Sequence, residues 1–330
     1  MADTILEIQD LYTRYHDRKE ILKAVDGVSL TLKRGEILGI VGESGCGKTT
    51  LGLSILNLVP YPGFVDSGRI LFNGVNVLEM SQSELRELRG NNISMIFQQP
   101  QAGLNPILPV GEQVEEIITA HTGMSKGDAR KMSLELLVSM GLPDPERVAQ
   151  RYPFQLSGGM AQRVMIAIAM ALKPDILIAD EPTSALDMTV QAQILEELRR
   201  LRNRGVSIVL ITHDLGVIAQ MADRVAVMYA GRIAEESETI ALFHRPRHPY
   251  TWALLESLPR INQEISPLRQ VQGRPPDMTR LPEECAFLPR CSKAISACRI
   301  NPSPELREIE PEHWAACYNP VYQPEEPEEE

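Results

Sequence analysis

Gly42-Glu43-Ser44-Gly45-Cys46-Gly47-Lys48-Thr49 fills the pattern G-x-x-x-x-G-K-[ST] at every fixed position. The residues around it supply the context that this pattern needs. Glu36 to Val41 reads as a short apolar strand, and Leu51, Ile55 and Leu58 recur at helical spacing behind the loop. The glycines let backbone N–H groups curl around phosphate oxygens. The helix starting near Lys48 turns its positive end to the same anion. Lys48 is placed to reach the β- and γ-phosphates of a nucleotide, and the Thr49 hydroxyl to bind Mg²⁺. Cys46 occupies a variable position and reads as a small filler without a redox role.

Working outward, a second apolar strand, Ile176 to Ala179, ends in Asp180-Glu181. With a phosphate loop present, Asp180 suits the Mg²⁺ shell and Glu181 suits the polarising of an attacking water. A third strand, Ser207 to Thr212, runs into His213. A neutral imidazole at that sheet edge can hydrogen-bond a γ-phosphate. Gln98, in Ile96-Phe97-Gln98-Gln99, carries an amide able to touch Mg²⁺ and sense the γ-phosphate. Between loop and acidic strand lies Leu156-Ser157-Gly158-Gly159-Met160, a Ser-Gly-Gly turn opening a helix. That order of parts is the most discriminating feature of the chain. Phosphate loops alone occur in many nucleotide-binding proteins.

Strands and helices alternate up to about residue 240, which predicts an α/β layer structure. A helix with Val190, Ile194, Leu198 and Leu201 on one face lies between the second and third strands, stopped by Gly205. Leu6 to Tyr15, Ala24 to Leu32 and Gly68 to Phe72 alternate as strands of an antiparallel sheet. Residues 110–150 read as mostly helical, with Ser125 as N-cap and Gly141 as stop. Net charge is −11, which disfavours nonspecific nucleic-acid binding. Met1 to Asp10 lacks the pattern of a signal peptide, and the apolar run Val164 to Leu172 is too short to span a bilayer. A cytosolic protein is the expectation.

Together these motifs resemble the ATP-binding cassette family, over roughly residues 5–240. Gly42 to Thr49 matches the Walker A loop, Gln98 the Q-loop and Leu156 to Met160 the signature. Ile176 to Glu181 matches the Walker B strand, Ser184-Ala185-Leu186-Asp187 the D-loop, and His213 the switch histidine. The resemblance implies a RecA-like core, an antiparallel β subdomain, and a helical subdomain over about 100–165. It implies ATP held by Gly42, Glu43, Ser44, Gly45, Cys46, Gly47, Lys48, Thr49 and Thr50, with Tyr15 stacked on adenine. Mg²⁺ would be bound through Thr49, Gln98 and Asp180, and Glu181 and His213 would be catalytic. Ser157, Gly158 and Gly159 would bind the γ-phosphate held by an opposite cassette, with Asp187 in the D-loop. Met160 departs from the commonest signature, which ends in Gln, but Ser-Gly-Gly-Met is what peptide-importer cassettes look like.

After Pro246 the character changes: 14 of the 24 prolines fall in the last 85 residues. Such a segment is not expected to build long helices or central strands. It holds Cys285, Cys291, Cys298 and Cys317, spaced C-x₅-C-x₆-C-x₁₈-C. In a cytosolic chain metal ligation is the leading reading, with zinc and a four-iron cluster both open on spacing alone. His244 and His248 are spaced i, i+4, but Pro246 and Pro249 interrupt them, so they read as non-ligands. Phe243 to Thr251, Leu254-Leu255 and Pro289-Arg290-Cys291 resemble the extension of dipeptide and oligopeptide importer ATPases. Some members of that group carry a [4Fe–4S] cluster there, so the resemblance favours iron–sulfur over Zn²⁺.

The expected organisation is a cassette at 1–240, a Pro-rich extension stapled by a metal cluster at 241–320, and an acidic disordered tail at 321–330. The expected function is an ATPase subunit powering peptide import at the cytoplasmic face of the membrane. Its partners would be a second cassette in a heterodimer, two transmembrane permease subunits docked near Leu104-Asn105-Pro106, and indirectly an extracytoplasmic solute-binding protein. The nearer alternative cargoes are short sugars or nickel chelates. The distant alternative is a soluble cassette acting on DNA or ribosomes.

Overall fold

The computed structural model describes residues 3–17, 20–184, 186–258 and 271–322. Ala185 of the D-loop and most of the acidic tail, residues 323–330, lie outside the described residues. The strands are β1 (Thr4–Asp17), β2 (Glu20–Lys33), β3 (Ile37–Val41), β4 (Gly63–Phe72), β5 (Val75–Asn76), β6 (Ile93–Ile96), β7 (Ile176–Asp180), β8 (Ser207–Ile211), β9 (Arg224–Tyr229), β10 (Arg232–Glu238), β11 (Arg307–Glu310) and β12 (His313–Ala315). The helices are α1 (Lys48–Ile55), α2 (Gln82–Asn91), α3 (Val110–Thr122), α4 (Lys126–Ser139), α5 (Pro145–Ala149), α6 (Gly158–Met170), α7 (Met188–Asn203), α8 (Leu215–Met221), α9 (Thr239–His244), α10 (Pro249–Glu256) and α11 (Ala297–Ile300). Contacts group the chain into two interleaved compact units. The first is Met1–Glu7, Thr31–Ile37 and Leu71–Thr212; the second is Ile8–Leu30, Leu38–Ile70 and His213–Glu330.

In the first unit β6, β7 and β8 pair in parallel, Ile176 lying between Ile93 and Ser207. Every residue of the three strands is buried, so they read as mostly apolar runs, broken only by Ser94, Asp180 and Ser207, instead of alternating ones. Full burial of each Ile, Leu or Val side chain contributes about 1.5–3 kcal/mol. Helix α6 packs on β6, and α3 packs on α4, α5 and α6. The apolar run Val164 to Leu172 is therefore mostly core helix. Local chemistry sets the helix ends. The Ser125 hydroxyl accepts the Asp128 N–H and caps α4. Gly205, at φ +93°, takes the left-handed turn that follows α7, whose Ile194, Leu198 and Leu201 are buried as the spacing predicts.

In the second unit β3 lies parallel beside β9, in register from Leu38 opposite Arg224 to Val41 opposite Val227. The sheet continues β9-β10-β12-β11 through antiparallel pairs. Strands β2, β1 and β4 follow in the order β2-β1-β4. They occupy the three early segments that alternate in the sequence.

The extension corrects an expectation. A Pro-rich segment was expected to be irregular and to lack central strands. Instead β12 is an interior strand, with Glu235 to Ser237 of β10 on one side and β11 on the other. Its three residues fit between Pro311 and Pro320, so proline never has to donate to the ladder. Glu235, fully buried, locks the join. Its carboxylate accepts the Arg247 N–H at 2.6 Å and the His248 N–H at 2.7 Å, and it pairs with His313 Nε2 at 2.7 Å.

Candidate functional site

The phosphate loop sits in the second unit, at the C-terminal end of β3. Lys48, nearly buried, curls back over the loop: its Nζ donates to the Gly42 carbonyl at 2.7 Å and the Glu43 carbonyl at 3.1 Å. Gly47 takes φ +106°, and a Cβ there would stand 2.0 Å from the Ala24 carbonyl oxygen. No flexible side chain can yield at that point, so the sequence has no choice but glycine. The Cys46 carbonyl accepts the Gly231 N–H at 3.0 Å, tying the loop to the β9–β10 turn. The Cys46 thiol is buried, and burial pushes its pKa up, in keeping with a filler. Ser44, Gly45 and Thr49 are exposed, and Thr50 is half-buried. Tyr15 on β1 is half-buried with its ring against Gly63, where a Cβ would come within 2.5 Å of Cε1.

The carboxylates Asp180 and Glu181 belong to the first unit, at the end of β7. Both are buried. Glu181 takes φ +50°, a left-handed conformation uncommon for glutamate, and its N–H donates to the Ile211 carbonyl at 2.8 Å. The same unit holds Gln98, exposed just past β6, and Ser157, exposed at the start of α6. The Ser157 hydroxyl accepts the Met160 N–H at 3.3 Å. The Phe97 N–H reaches Met165 Sδ at 3.2 Å and the Gln101 amide reaches the Leu156 carbonyl at 3.4 Å. The segment carrying Gln98 is thus fastened to the helix that Ser157 opens. Asp187 caps α7, its Oδ1 accepting the Thr189 and Val190 N–H groups at 3.0 Å. A Cβ on Gly159 would meet Val190 Cγ1 at 2.9 Å, so the signature helix and the D-loop helix approach at glycine distance. His213 is exposed in the turn after β8, and Asp214 caps α8.

All four extension cysteines, Cys285, Cys291, Cys298 and Cys317, line one pocket with His248 and Phe287. They are free thiols. Burial pushes the Cys285, Cys291 and Cys317 thiols up, Cys317 to about 12. The Asn319 N–H donates to Cys317 Sγ at 3.3 Å. Four soft sulfurs around one pocket suit a thiophilic metal. Among the described residues no group of three or more His, Cys, Asp or Glu is arranged to hold a metal ion. β12 and Glu235 join the extension to β10. His248 caps α10: its Nδ1 accepts the Tyr250 N–H at 3.0 Å, and burial lowers its pKa to about 4.

Sequence reasoning missed Arg290 and Tyr250 as neighbours of the phosphate loop. The Arg290 guanidinium grips the Glu43 carboxylate, and the Glu43 N–H donates to the Tyr250 hydroxyl at 2.9 Å. A separation of 247 residues leaves no local signal. The β9–β10 hairpin was also passed over, although Tyr229-Ala230-Gly231-Arg232 is a readable turn.

Comparison with known proteins agrees with these motifs. Residues 25–184 match the family ABC transporter, and residues 234–298 match Oligopeptide/dipeptide transporter, C-terminal region. The chain is 46% identical to a probable peptide ABC transporter ATP-binding protein of Sinorhizobium fredii, over 96% of this chain and 95% of that one. It is 46% identical to the dipeptide transport ATP-binding protein DppD of Bacillus subtilis, over 96% and 95%. It is 43% identical to the oligopeptide transport ATP-binding protein OppD of Salmonella typhimurium, over 97% and 95%. Among solved structures, the ATP-binding cassette MJ0796 in a dimeric post-hydrolysis state with ADP and Pi is 33% identical. That match has a TM-score of 0.63 and covers 71% of this chain and 98% of the other. The chain therefore belongs to the ATP-binding proteins of the ABC transporter family and carries their oligopeptide/dipeptide transporter C-terminal region.

Proposed function

We propose that this chain is the ATP-hydrolysing subunit of a peptide importer. The observation that carries the reading is the double match: a cassette at 25–184 and an oligopeptide/dipeptide region at 234–298 occur in one chain, and the similarity to DppD of Bacillus subtilis runs along 96% of it. The loop 42–50 binds the triphosphate. Its N–H groups would meet phosphate oxygens, Lys48 would donate to β- and γ-oxygens, and Thr49, Gln98 and Asp180 would be the residues that hold Mg²⁺, which would supply positive charge to the triphosphate. Tyr15 stacks on adenine. Glu181 polarises the attacking water, and His213 hydrogen-bonds the γ-phosphate. Ser157, Gly158 and Gly159 offer a hydroxyl and helix-start N–H groups to ATP on a second cassette, with Asp187 close by. ATP binding closes the pair; hydrolysis and phosphate release reopen it.

The subunit sits peripherally on the cytoplasmic face of the membrane. Among the described residues no helix is long and apolar enough to cross it. Two permease subunits dock on the helical region near residues 104–106. The exposed apolar side chains Phe97, Ile107, Tyr152 and Phe154 support that surface. The second cassette is proposed to be a non-identical relative, and an extracytoplasmic binding protein delivers the peptide. Co-purification followed by native mass measurement separates such a heterodimer from two copies of this chain.

The four cysteines are proposed to hold a [4Fe–4S] cluster. Its support is the four thiols around one pocket and the N–H donated to Cys317 Sγ. Such a cluster would supply covalent cross-linking to the extension, and loading it would release the thiol protons. Anaerobic purification with iron analysis and visible absorption tests it. Stoichiometric zinc without iron–sulfur absorption overturns it.

Reconstitution with the permease subunits in vesicles tests the function itself. Expected are ATP-driven uptake of labelled di- or oligopeptides and, for Glu181→Gln, retained ATP binding with turnover lowered at least ~100-fold. Uptake of short sugars or nickel chelates in place of peptides rejects the cargo assignment. Near-normal hydrolysis by Glu181→Gln rejects the catalytic one.

A further inference from the structure

Glu43 is held at its carboxylate, its N–H and its carbonyl. Arg290 Nη1 donates to Oε2 at 2.7 Å and Nη2 to Oε1 at 2.8 Å, the two-pronged grip that a guanidinium makes on a carboxylate. Arg290 is itself fixed. Its Nε donates to the Gln272 carbonyl at 3.0 Å, Nη1 reaches the Tyr229 hydroxyl at 3.3 Å, and its side chain is only 4% exposed. The Glu43 N–H donates to the hydroxyl of Tyr250, which is fully buried with its ring 4.6 Å from Tyr229 and 5.4 Å from Phe287. The Glu43 carbonyl accepts from Lys48 Nζ. One residue of the phosphate loop thus has its carboxylate and its N–H fixed by the extension, and its carbonyl fixed by the lysine that serves phosphate.

We propose that Arg290 and Tyr250 are positioning residues for the phosphate loop: the extension fixes Glu43 and, through the Glu43 carbonyl, sets where the Lys48 ammonium stands. The proposal rests on the reading that this loop binds ATP. It gives the extension a part in nucleotide binding through Glu43. The mechanism is ordinary preorganisation. A loop already held in its binding conformation loses less entropy when the nucleotide arrives. A guanidinium fork suits this task better than an ammonium, because it fixes direction as well as distance.

The test is Mg-ATP affinity of the full chain, measured without turnover by displacement of a fluorescent ATP analogue. Arg290→Ala is expected to weaken binding about 10-fold, Arg290→Lys to restore part of the loss, and Tyr250→Phe to give a smaller loss. Glu43→Ala combined with Arg290→Ala is expected to be no weaker than the worse single variant, because both remove one grip. A purely structural Arg290 would instead lower Tm and leave the affinity of the folded protein at the wild-type value; that result overturns the proposal. Independent, multiplying losses for Glu43→Ala and Arg290→Ala overturn it too. Should Arg290→Ala fail to fold, the Arg290→Lys and Tyr250→Phe affinities decide alone: wild-type values for both reject positioning. Lys48→Ala separates the two levels of the argument. If it binds ATP like the wild type, the assignment of the loop itself is wrong; if it abolishes binding while the Arg290 variants bind normally, only the clamp is wrong.

Discussion

Asp26 gathers three short contacts on one buried carboxylate. Arg14 Nη1 lies 2.7 Å from Oδ1, and Arg232 donates Nη2 at 2.7 Å and Nε at 2.9 Å to Oδ2. Burial alone would raise the Asp26 pKa, but the bonds from Arg232 and Arg14 outweigh it and hold the carboxyl below its ordinary 3.8. A carboxyl depressed in the folded state binds its proton later than in the unfolded chain. Its stabilisation is therefore present above pH 3.8 and lost as pH falls through the lower folded value. Asp26→Asn is expected to cost roughly 3 kcal/mol at pH 7, since it leaves guanidinium charge without its counter-ion. Urea unfolding of both proteins at pH 7 and near pH 3 checks this: the gap must shrink in acid, and a constant gap defeats the linkage. At this scale the sequence was partly legible. Gly47 and Lys48 announce themselves because the loop's chemistry needs them at fixed spacing. Asp26 and Glu43 do not, because their partners are brought to them only by the folded sheet.

Among the elements, β3, β7 and β8 could be read to within a residue or so, because a strand buried on both faces is a short apolar run. Helix α7 could be read because its buried residues repeat at helical period and Gly205 ends it. The join of β10 to β12 could not be read. Arg232 to Glu238 carries two adjacent glutamates, Glu235 and Glu236, and yet both are buried. Periodicity assigns such residues to solvent. The fold pairs them instead: Glu236 Oε1 with Arg224 Nη1 at 2.6 Å, and Glu235 with His313 and two N–H groups. Glu235→Ala should leave three buried donors without an acceptor. The expected loss is roughly 3–5 kcal/mol in chemical unfolding, by analogy with breaking a buried pair from one side. A loss below about 1 kcal/mol would mean that the join is not what orders the extension. The proline count misled for a related reason. Proline forbids ladder donation only at its own position, and the gap between Pro311 and Pro320 is enough for a three-residue interior strand.

Across the whole chain, motif order identified the family, while the two compact units are drawn from segments far apart in sequence. The second unit takes in residues 8–30, 38–70 and 213 onward. No linear division reproduces that grouping, because a sheet recruits strands by register and not by adjacency. One consequence concerns synthesis. Glu235 leaves the ribosome 78 residues before His313. At ~5–20 residues per second that is a wait of roughly 4–16 s during which a carboxylate destined for a dry interior lacks one partner and β10 has an open edge. Ribosome-stalled chains ending near residue 290, long enough for β10 to clear the exit tunnel but lacking β12, should be cleaved readily by protease within β10, whereas chains extended well beyond residue 322 should resist. Equal resistance at both lengths would show that β10 closes without β12. The nascent protein thus carries a vulnerable interval written into its strand order, and a chaperone holding exposed strand edges would find its substrate in that interval.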